Sequence, residues 1–121
     1  PLLKISWNKQ DPNYIATIHT SSNKAIILDI RVPSAPVVEL AGHVGALNGV
    51  VWAPQSSNHI CTCGDDKQAL IWDISTSKEQ VVVDPILAFS AESEINQLQW
   101  DASHEDRVSI CFSDCVQVLK V

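Results

Sequence analysis

Four side chains in the middle of the chain have types that serve either acyl-transfer chemistry or a buried hydrogen-bond network. His43, Thr62 and Asp66 supply an imidazole, a hydroxyl and a carboxylate, and Trp72 adds an indole N–H. In a catalytic triad the carboxylate orients the imidazole, which takes a proton from the hydroxyl. Buried groups of the same types can instead satisfy one another and hold strands together. The elements that carry the four residues decide between these roles.

Those elements are predicted to be short β-strands, because the apolar segments are brief, rich in Val and Ile, and bounded by Asp, Asn, Pro and Ser. Trp7, Trp52 and Trp100 each end such a segment, 45 and 48 residues apart, and each is followed by a turn and two more strands. Outer strands are predicted at 36–40 and within 81–89. The second strands are predicted at 14–18, 59–63 and 107–112, and the third strands at 25–30, 69–74 and 116–121. The repeat predicts an all-β chain of eleven strands in sheets of four, four and three.

One repeat carries the pattern of a β-propeller blade. Gly42-His43 opens it, a Gly64-Asp65-Asp66 turn follows, and Trp72-Asp73 closes it, as in blades of about 40–45 residues. We therefore predict a partial β-propeller of about three blades, approximately 1–41, 42–89 and 90–121. A blade must stack on neighbours to bury its faces, so the chain is predicted to form part of a ring.

The placement of the four polar residues favours a structural role. His43 precedes an inner strand, Thr62 lies on the second, Asp66 is in the turn, and Trp72 is on the third. They resemble the hydrogen-bond tetrad of WD-repeat blades, in which the carboxylate accepts from the imidazole, the hydroxyl bridges and the indole donates. The first repeat has no Gly-His pair and the third has Ser90-Ala91 in its place, so the tetrad is predicted only in the middle.

Composition narrows the classes of partner. The 121 residues are 45% hydrophobic and carry 14 acidic against 8 basic side chains, a net charge of −6. The basic residues are scattered, which argues against direct binding of DNA or RNA. No apolar run reaches the ~18 residues of a membrane span, and no leader is visible. The chain contains no Met and opens at Pro1 into strand-like sequence, which predicts part of a longer product.

The cysteines and the remaining motifs do not indicate catalysis. Cys61, Cys63, Cys111 and Cys115 fall in or beside strands, unlike the loop knuckles of zinc sites, so we expect buried free thiols and a reducing compartment. No Gly-rich phosphate loop, carboxylate pair or nucleophile elbow is present. We expect neither enzymatic activity nor a cofactor or metal.

Asp29 and Arg31 form a second candidate site. They match part of the Trp-Asp-x-Arg box with which WD-repeat receptors of cullin-based ubiquitin ligases contact their adaptor, although Leu28 replaces the Trp. Two interpretations remain open: a solvated strand end, or an adaptor contact. The three repeated tryptophans are interpreted as packing residues between blades rather than as a binding cage.

Several longer stretches resemble one WD-repeat family over essentially the whole chain. Asn8–Tyr14, Ile27–Pro33 and Ala69–Ile74 are similar to the family of the plant regulator Transparent Testa Glabra and its animal counterpart, a scaffold of dual-specificity tyrosine-regulated kinases. The resemblance places the chain in the C-terminal third of that family and implies a seven-bladed, non-catalytic ring in the cytoplasm and nucleus. It also implies protein partners: protein kinases, transcription regulators of the MYB and basic helix-loop-helix type, or a ubiquitin-ligase adaptor. An interaction scaffold and a ligase substrate receptor both remain open.

Overall fold

The chain forms β-sheets throughout the part that the structure describes. The structure is a computed structural model, which describes residues 2–31, 36–74, 81–82, 84–103 and 106–121. The strands are β1 (Leu2–Trp7), β2 (Tyr14–His19), β3 (Ala25–Asp29), β4 (Pro36–Leu40), β5 (Leu47–Trp52), β6 (His59–Gly64), β7 (Gln68–Asp73), β8 (Val81–Val82), β9 (Leu87–Ser90), β10 (Ile95–Trp100), β11 (Arg107–Phe112) and β12 (Cys115–Lys120).

The strands assemble into three antiparallel sheets of four, four and three strands, which confirms the predicted fold class. The first sheet has the order β1-β2-β3-β4, the middle sheet β5-β6-β7-β9 and the third sheet β10-β11-β12. The count of eleven strands was wrong by one, because the two-residue strand β8 pairs in parallel with the outer edge of β4. The predicted segment 81–89 therefore supplies two strands to two different sheets, and Val83 between them lies outside the described residues.

Strands β5, β6 and β7 of the middle sheet are buried on both faces, whereas its outer strand β9 is largely exposed. Alternate residues of a strand point to opposite faces, so β6 presents Ile60 and Thr62 on one side and Cys61 and Cys63 on the other. The first side packs with the core of the first sheet, around Ile18 among others, and the second with the core of the third sheet. Strands β5, β6 and β7 are consequently apolar along most of their length, as expected for strands covered on both faces.

Repeated hydrogen bonds fasten each sheet to the next at one end. Three residues after each of the first two repeated tryptophans stands a glutamine. Gln10 Nε2 donates to the Pro54 carbonyl at 2.9 Å, and Gln55 Nε2 donates to the Ala102 carbonyl at 3.4 Å. The Trp52 indole on β5 donates to the Ser6 carbonyl on β1 at 2.9 Å, across the boundary between the first and middle sheets. The contacts fix the stacking of neighbouring sheets.

A glycine in β5 allows the flanking sheets to meet. Lys4 Nζ donates to Gln97 Oε1 at 2.7 Å, although the two residues lie on β1 and β10, on either side of β5. At the equivalent register position β5 has Gly49, where an added Cβ would lie 2.4 Å from Leu98 Cδ2 and 3.0 Å from Cys63 Sγ. A larger residue at position 49 would have to displace these side chains.

The three repeated tryptophans differ in burial. Trp52 and Trp100 are buried, as expected for residues that pack between sheets, but Trp7 is 54% exposed and donates to the Pro12 carbonyl within its own turn. The expectation that all three pack between sheets is therefore wrong for Trp7, which has no described sheet on its outer side. At the other end of the described chain, the exposed apolar residues include Val116 and Val118 of β12.

We predict that the 121-residue chain produced alone self-associates. Leu3, Ile5 and Trp7 expose apolar surface at one end, and β12 is an edge strand with Val116 and Val118 exposed at the other. Such edges promote strand pairing between molecules, and lysine on an edge prevents it. Light scattering coupled to gel filtration should show oligomers, which a Val116→Lys/Val118→Lys variant should reduce. A monodisperse wild-type monomer with a sharp two-state melt would contradict this prediction.

Candidate functional site: a buried hydrogen-bond network and an exposed ion pair

The four polar residues of the middle repeat form one continuous hydrogen-bonded chain. The His43 Nδ1 atom lies 2.8 Å from Asp66 Oδ2, and its Nε2 atom lies 2.7 Å from Thr62 Oγ1. The Trp72 indole N–H donates to the same Thr62 hydroxyl oxygen at 2.9 Å. The chain joins the loop before β5, strand β6, the β6–β7 turn and strand β7.

Local backbone geometry brings Asp66 under the histidine loop. The turn between β6 and β7 contains Lys67 with a positive φ of 68°. The Asp66 carboxylate accepts from the Gln68 and Val44 backbone N–H groups, each at 3.2 Å, so it holds both its own turn and the loop. Gly45 lets the two segments approach closely, because an added Cβ would lie 2.9 Å from the Asp66 nitrogen.

The network is complete when the His43 ring is neutral. An ionised Asp66 only accepts, so Nδ1–H donates to it and Nε2 accepts from the Thr62 hydroxyl. The Thr62 oxygen is then free to accept the Trp72 N–H. Burial lowers the pKa of His43, and this effect exceeds the opposing attraction of Asp66. Protonation of Nε2 would turn an acceptor into a donor and break the bond from Thr62.

The geometry is that of a hydroxyl–imidazole–carboxylate triad, but the site lacks access for a substrate. The side chains of His43 and Asp66 are 0% and 1% exposed, and Thr62 is fully buried. Acyl transfer requires a carbonyl carbon to reach the hydroxyl oxygen, and here the Trp72 indole lies against that oxygen. The arrangement can link strands; it cannot admit a substrate.

The equivalent positions of the other two repeats do not form the same network. Strand register aligns Thr62 with Thr17 and Ile110, and Trp72 with Leu28 and Leu119. The Thr17 hydroxyl donates to the Ile26 carbonyl at 3.4 Å, and the third repeat is apolar at both positions. Within the described residues, the four-membered network therefore occurs in the middle repeat.

Asp29 and Arg31 form an exposed, well-ordered ion pair at the end of β3. Arg31 Nη2 and Nε donate to the two Asp29 carboxylate oxygens at 2.7 and 2.9 Å, and the Arg31 backbone N–H adds a bond of 2.9 Å. Hydrogen bonding to Arg31 lowers the pKa of Asp29, and the pKa of Arg31 rises in return. The Arg31 side chain is 60% exposed and that of Asp29 14%. The pair presents a fixed guanidinium to solvent.

The cysteines are free thiols, but only some are buried. Cys61 and Cys63 lie in the core between the middle and third sheets, and burial raises the pKa of both thiols, that of Cys63 to about 12. Cys111 is half-buried and Cys115 is exposed, so the expectation of four buried thiols is wrong for these two. They lie on the third sheet, where β12 is an edge strand.

The described residues contain no group of three or more His, Cys, Asp or Glu side chains that could hold a metal ion. The described part of the chain also contains no helix long and apolar enough to cross a membrane.

Sequence analysis missed the burial of Asn8 in the turn between β1 and β2. Asn8 is fully buried; its side-chain N–H donates to the Ser57 carbonyl at 2.9 Å, and its oxygen accepts from the Gln10 and Asp11 backbone N–H groups. It therefore shapes the β1–β2 turn and ties it to the middle sheet. An Asn directly after the repeated Trp was the available signal, but turns commonly contain Asn for local reasons alone.

Comparison with known proteins gives WD-repeat relatives, whereas no family model matches the chain. The chain is 59% identical over 121 residues to the DDB1- and CUL4-associated factor 7 homolog of Dictyostelium discoideum, covering all of the chain and 37% of that protein. It is 45% identical over 76 residues to a WD repeat-containing protein of Saccharomyces cerevisiae, covering 63% of the chain and 14% of the relative. It is 28% identical over 127 residues to histone acetyltransferase type B subunit 2 of Aspergillus oryzae, covering 98% of the chain and 29% of the relative.

The three sheets are blades of a WD40 β-propeller. The sheet order, the tetrad and the WD-repeat relatives agree on this fold. The blade boundaries 1–41, 42–89 and 90–121 stay a prediction. The partners and activity of the whole protein also stay predictions. The chain spans little more than a third of the length of the Dictyostelium relative and less of the other two.

We predict that Asp66→Ala lowers the free energy of unfolding of the full-length protein by about 1–3 kcal/mol, because it leaves the His43 N–H buried without an acceptor. Asp114→Ala serves as the control, since Asp114 is exposed in the corresponding turn of the third blade. Denaturant titration followed by tryptophan fluorescence measures both variants. Equal effects of the two substitutions would refute a structural role for the network.

We also predict a pH dependence that originates at His43. Its pKa is lowered by folding, so the stability that the neutral ring contributes is present above the unfolded pKa of about 6.5 and is lost as the pH falls below it. The difference in unfolding free energy between the wild type and His43→Gln should shrink between pH 7.5 and pH 5.5. The variant removes only the titration of His43, so the other histidines cancel in the difference. A difference that stays constant or grows on acidification would contradict the assignment.

Proposed function

We propose that the protein is a non-catalytic interaction scaffold of the Transparent Testa Glabra type, which assembles protein kinases or transcription regulators. The observation that supports this most directly is the burial of the His43 network. This triad-like constellation has no route for a substrate and holds strands together instead. A rigid blade of this kind serves as a platform, and function then resides in exposed side chains around it.

The relatives support protein partners in general terms. The Dictyostelium relative is named for association with other proteins, and the Aspergillus relative is named as a subunit. Kinases and regulators of the MYB and basic helix-loop-helix type are the finer part of the proposal and rest on the sequence resemblance. A location in the cytoplasm and nucleus is proposed on the same basis.

The Asp29–Arg31 pair favours a second candidate, a substrate receptor of a cullin-based ubiquitin ligase. That function needs Arg31 exposed beside Asp29, and the side chain is both exposed and held by two hydrogen bonds to the carboxylate. Holding the guanidinium in one geometry reduces the entropy lost on binding. The name of the Dictyostelium relative points to the same kind of complex.

One affinity purification from cells tests both candidates. The full-length wild type, an Arg31→Ala variant and an Arg107→Ala control are tagged, and the captured proteins are identified by mass spectrometry. We expect kinases or transcription regulators with all three. We expect the ligase adaptor with the wild type and the control, and about ten-fold less of it with Arg31→Ala, since arginines that a partner covers in an interface are common binding hot spots.

The experiment distinguishes failure of the adaptor contact from failure of the scaffold function. Equal capture of the adaptor by Arg31→Ala and Arg107→Ala would refute the contact at Arg31 and leave the scaffold untouched. Absence of kinases and transcription regulators from every sample would refute the scaffold in the form proposed here. Arg107 is the matched control because it is also an exposed arginine, at the start of β11 in the third blade.

A further inference from the structure

Among the described residues, the outer edge of β4 is the one strand edge that pairs in parallel orientation. Val81 lies opposite Glu39 and Val82 opposite Leu40, in parallel orientation, whereas every other described pairing is antiparallel. Strand β8 belongs to the connection between β7 and β9 of the middle blade, yet it adds to the sheet of the preceding blade.

The connection between β7 and β9 is longer than the pairing of these two strands requires. Strands β7 and β9 are antiparallel neighbours, with Ile71 opposite Leu87, so a hairpin loop of about two to five residues would join them. Instead the chain runs from residue 74 to residue 86 and places two residues on the neighbouring edge on the way. Connections this long are uncommon in compact domains unless they have a role of their own.

The added strand is weakly held, while β4 itself is firmly held. A two-residue ladder is shorter than ordinary strands of roughly three to ten residues, so it opens at low free energy. In contrast, β4 pairs with β3 from Leu40 back to Pro36, and Val38 and Leu40 are buried in the core. Departure of β8 would thus leave an intact strand with an open row of backbone donors and acceptors.

We propose that the β4 edge is a strand-addition site for an extended segment of a partner protein, and that Val81–Val82 keeps it closed until that segment displaces them. The partner strand runs parallel to β4, as β8 does, and contains no proline where it pairs. A lysine or arginine near Glu39 suits it, because Glu39 is partly exposed and already lies 3.9 Å from Lys24. The proposal deepens the scaffold function, on which it rests, by naming one partner surface.

The test uses the full-length protein and a fluorescent peptide with the sequence of residues 78–84, Lys-Glu-Gln-Val-Val-Val-Asp. A Val81→Pro/Val82→Pro variant removes the N–H groups of β8, and Asp84→Pro places a proline in the same connection outside that strand. We expect the peptide to bind the double variant at least ten-fold more tightly than the wild type or Asp84→Pro. A peptide with prolines at the positions of Val81 and Val82 should not bind.

Hydrogen exchange locates the binding in the folded protein. Successive N–H groups of a strand point to opposite edges, so one amide of the adjacent pair Glu39 and Leu40 faces β8 and the other faces β3. The amide that faces β8 should exchange about ten-fold faster in the double variant and regain protection when the peptide is added, while the amide that faces β3 stays protected. In the wild type, excess peptide should speed exchange at the β8 amide that faces β4, a measurement that does not depend on how well the double variant folds.

Three results would overturn the proposal. These are equal or absent peptide binding by all variants, unchanged exchange in β4, and protection of β4 by dimerisation of the double variant without peptide, which would assign the edge to a second copy. Because purified protein and a synthetic peptide are used, each of these results leaves the scaffold function standing.

Discussion

Strands β5, β6 and β7 of the middle blade are covered on both faces, and much of the remaining structure follows from that constraint. A strand such as β6 must be apolar towards both neighbours, yet its backbone and any polar side chain must still find partners. Ile60 meets this requirement on one side and Cys61 on the other, with the high pKa of the Cys61 thiol reflecting how dry that layer is. Thr62 is the exception within the strand, and it is tolerated because two groups satisfy its hydroxyl.

The His43 network is therefore better understood as a solution to burial than as a source of chemistry. An imidazole, a hydroxyl, an indole and a carboxylate that are individually costly to bury become acceptable when each donor finds an acceptor. The same chain of bonds ties the loop before β5 to the β6–β7 turn, which lies at the end of the sheet. In the third blade the equivalent positions are Ile110 and Leu119, which avoid the problem by carrying no polar atom.

The sequence allowed the strands and the tetrad to be located because both depend on local, repeated signals. Strand alternation and the Gly-His to Trp-Asp interval lie within one repeat, and the spacing of the tryptophans gives the length of the repeat. The features that sequence analysis missed depend on contacts between repeats. The burial of Asn8 and the bond from Lys4 across Gly49 to Gln97 are set by the neighbouring sheet, which no single repeat encodes. Strand β8 was not predicted for the same reason, since two residues carry no periodicity and their partner strand is in another blade.

The candidate interaction sites lie on the first blade, at opposite ends of one strand. Leu28, three residues before Arg31, pairs with Pro36 at the start of β4, whereas Val81 and Val82 pair at its end, with Glu39 and Leu40. A strand rises about 3.3 Å per residue, which separates the two ends by roughly 10–13 Å. The ion pair lies beyond the β3 end of this ladder, so two partners can occupy the ion pair and the strand edge without sharing atoms. The core shared by the first and middle blades supports the sheet on which both surfaces lie.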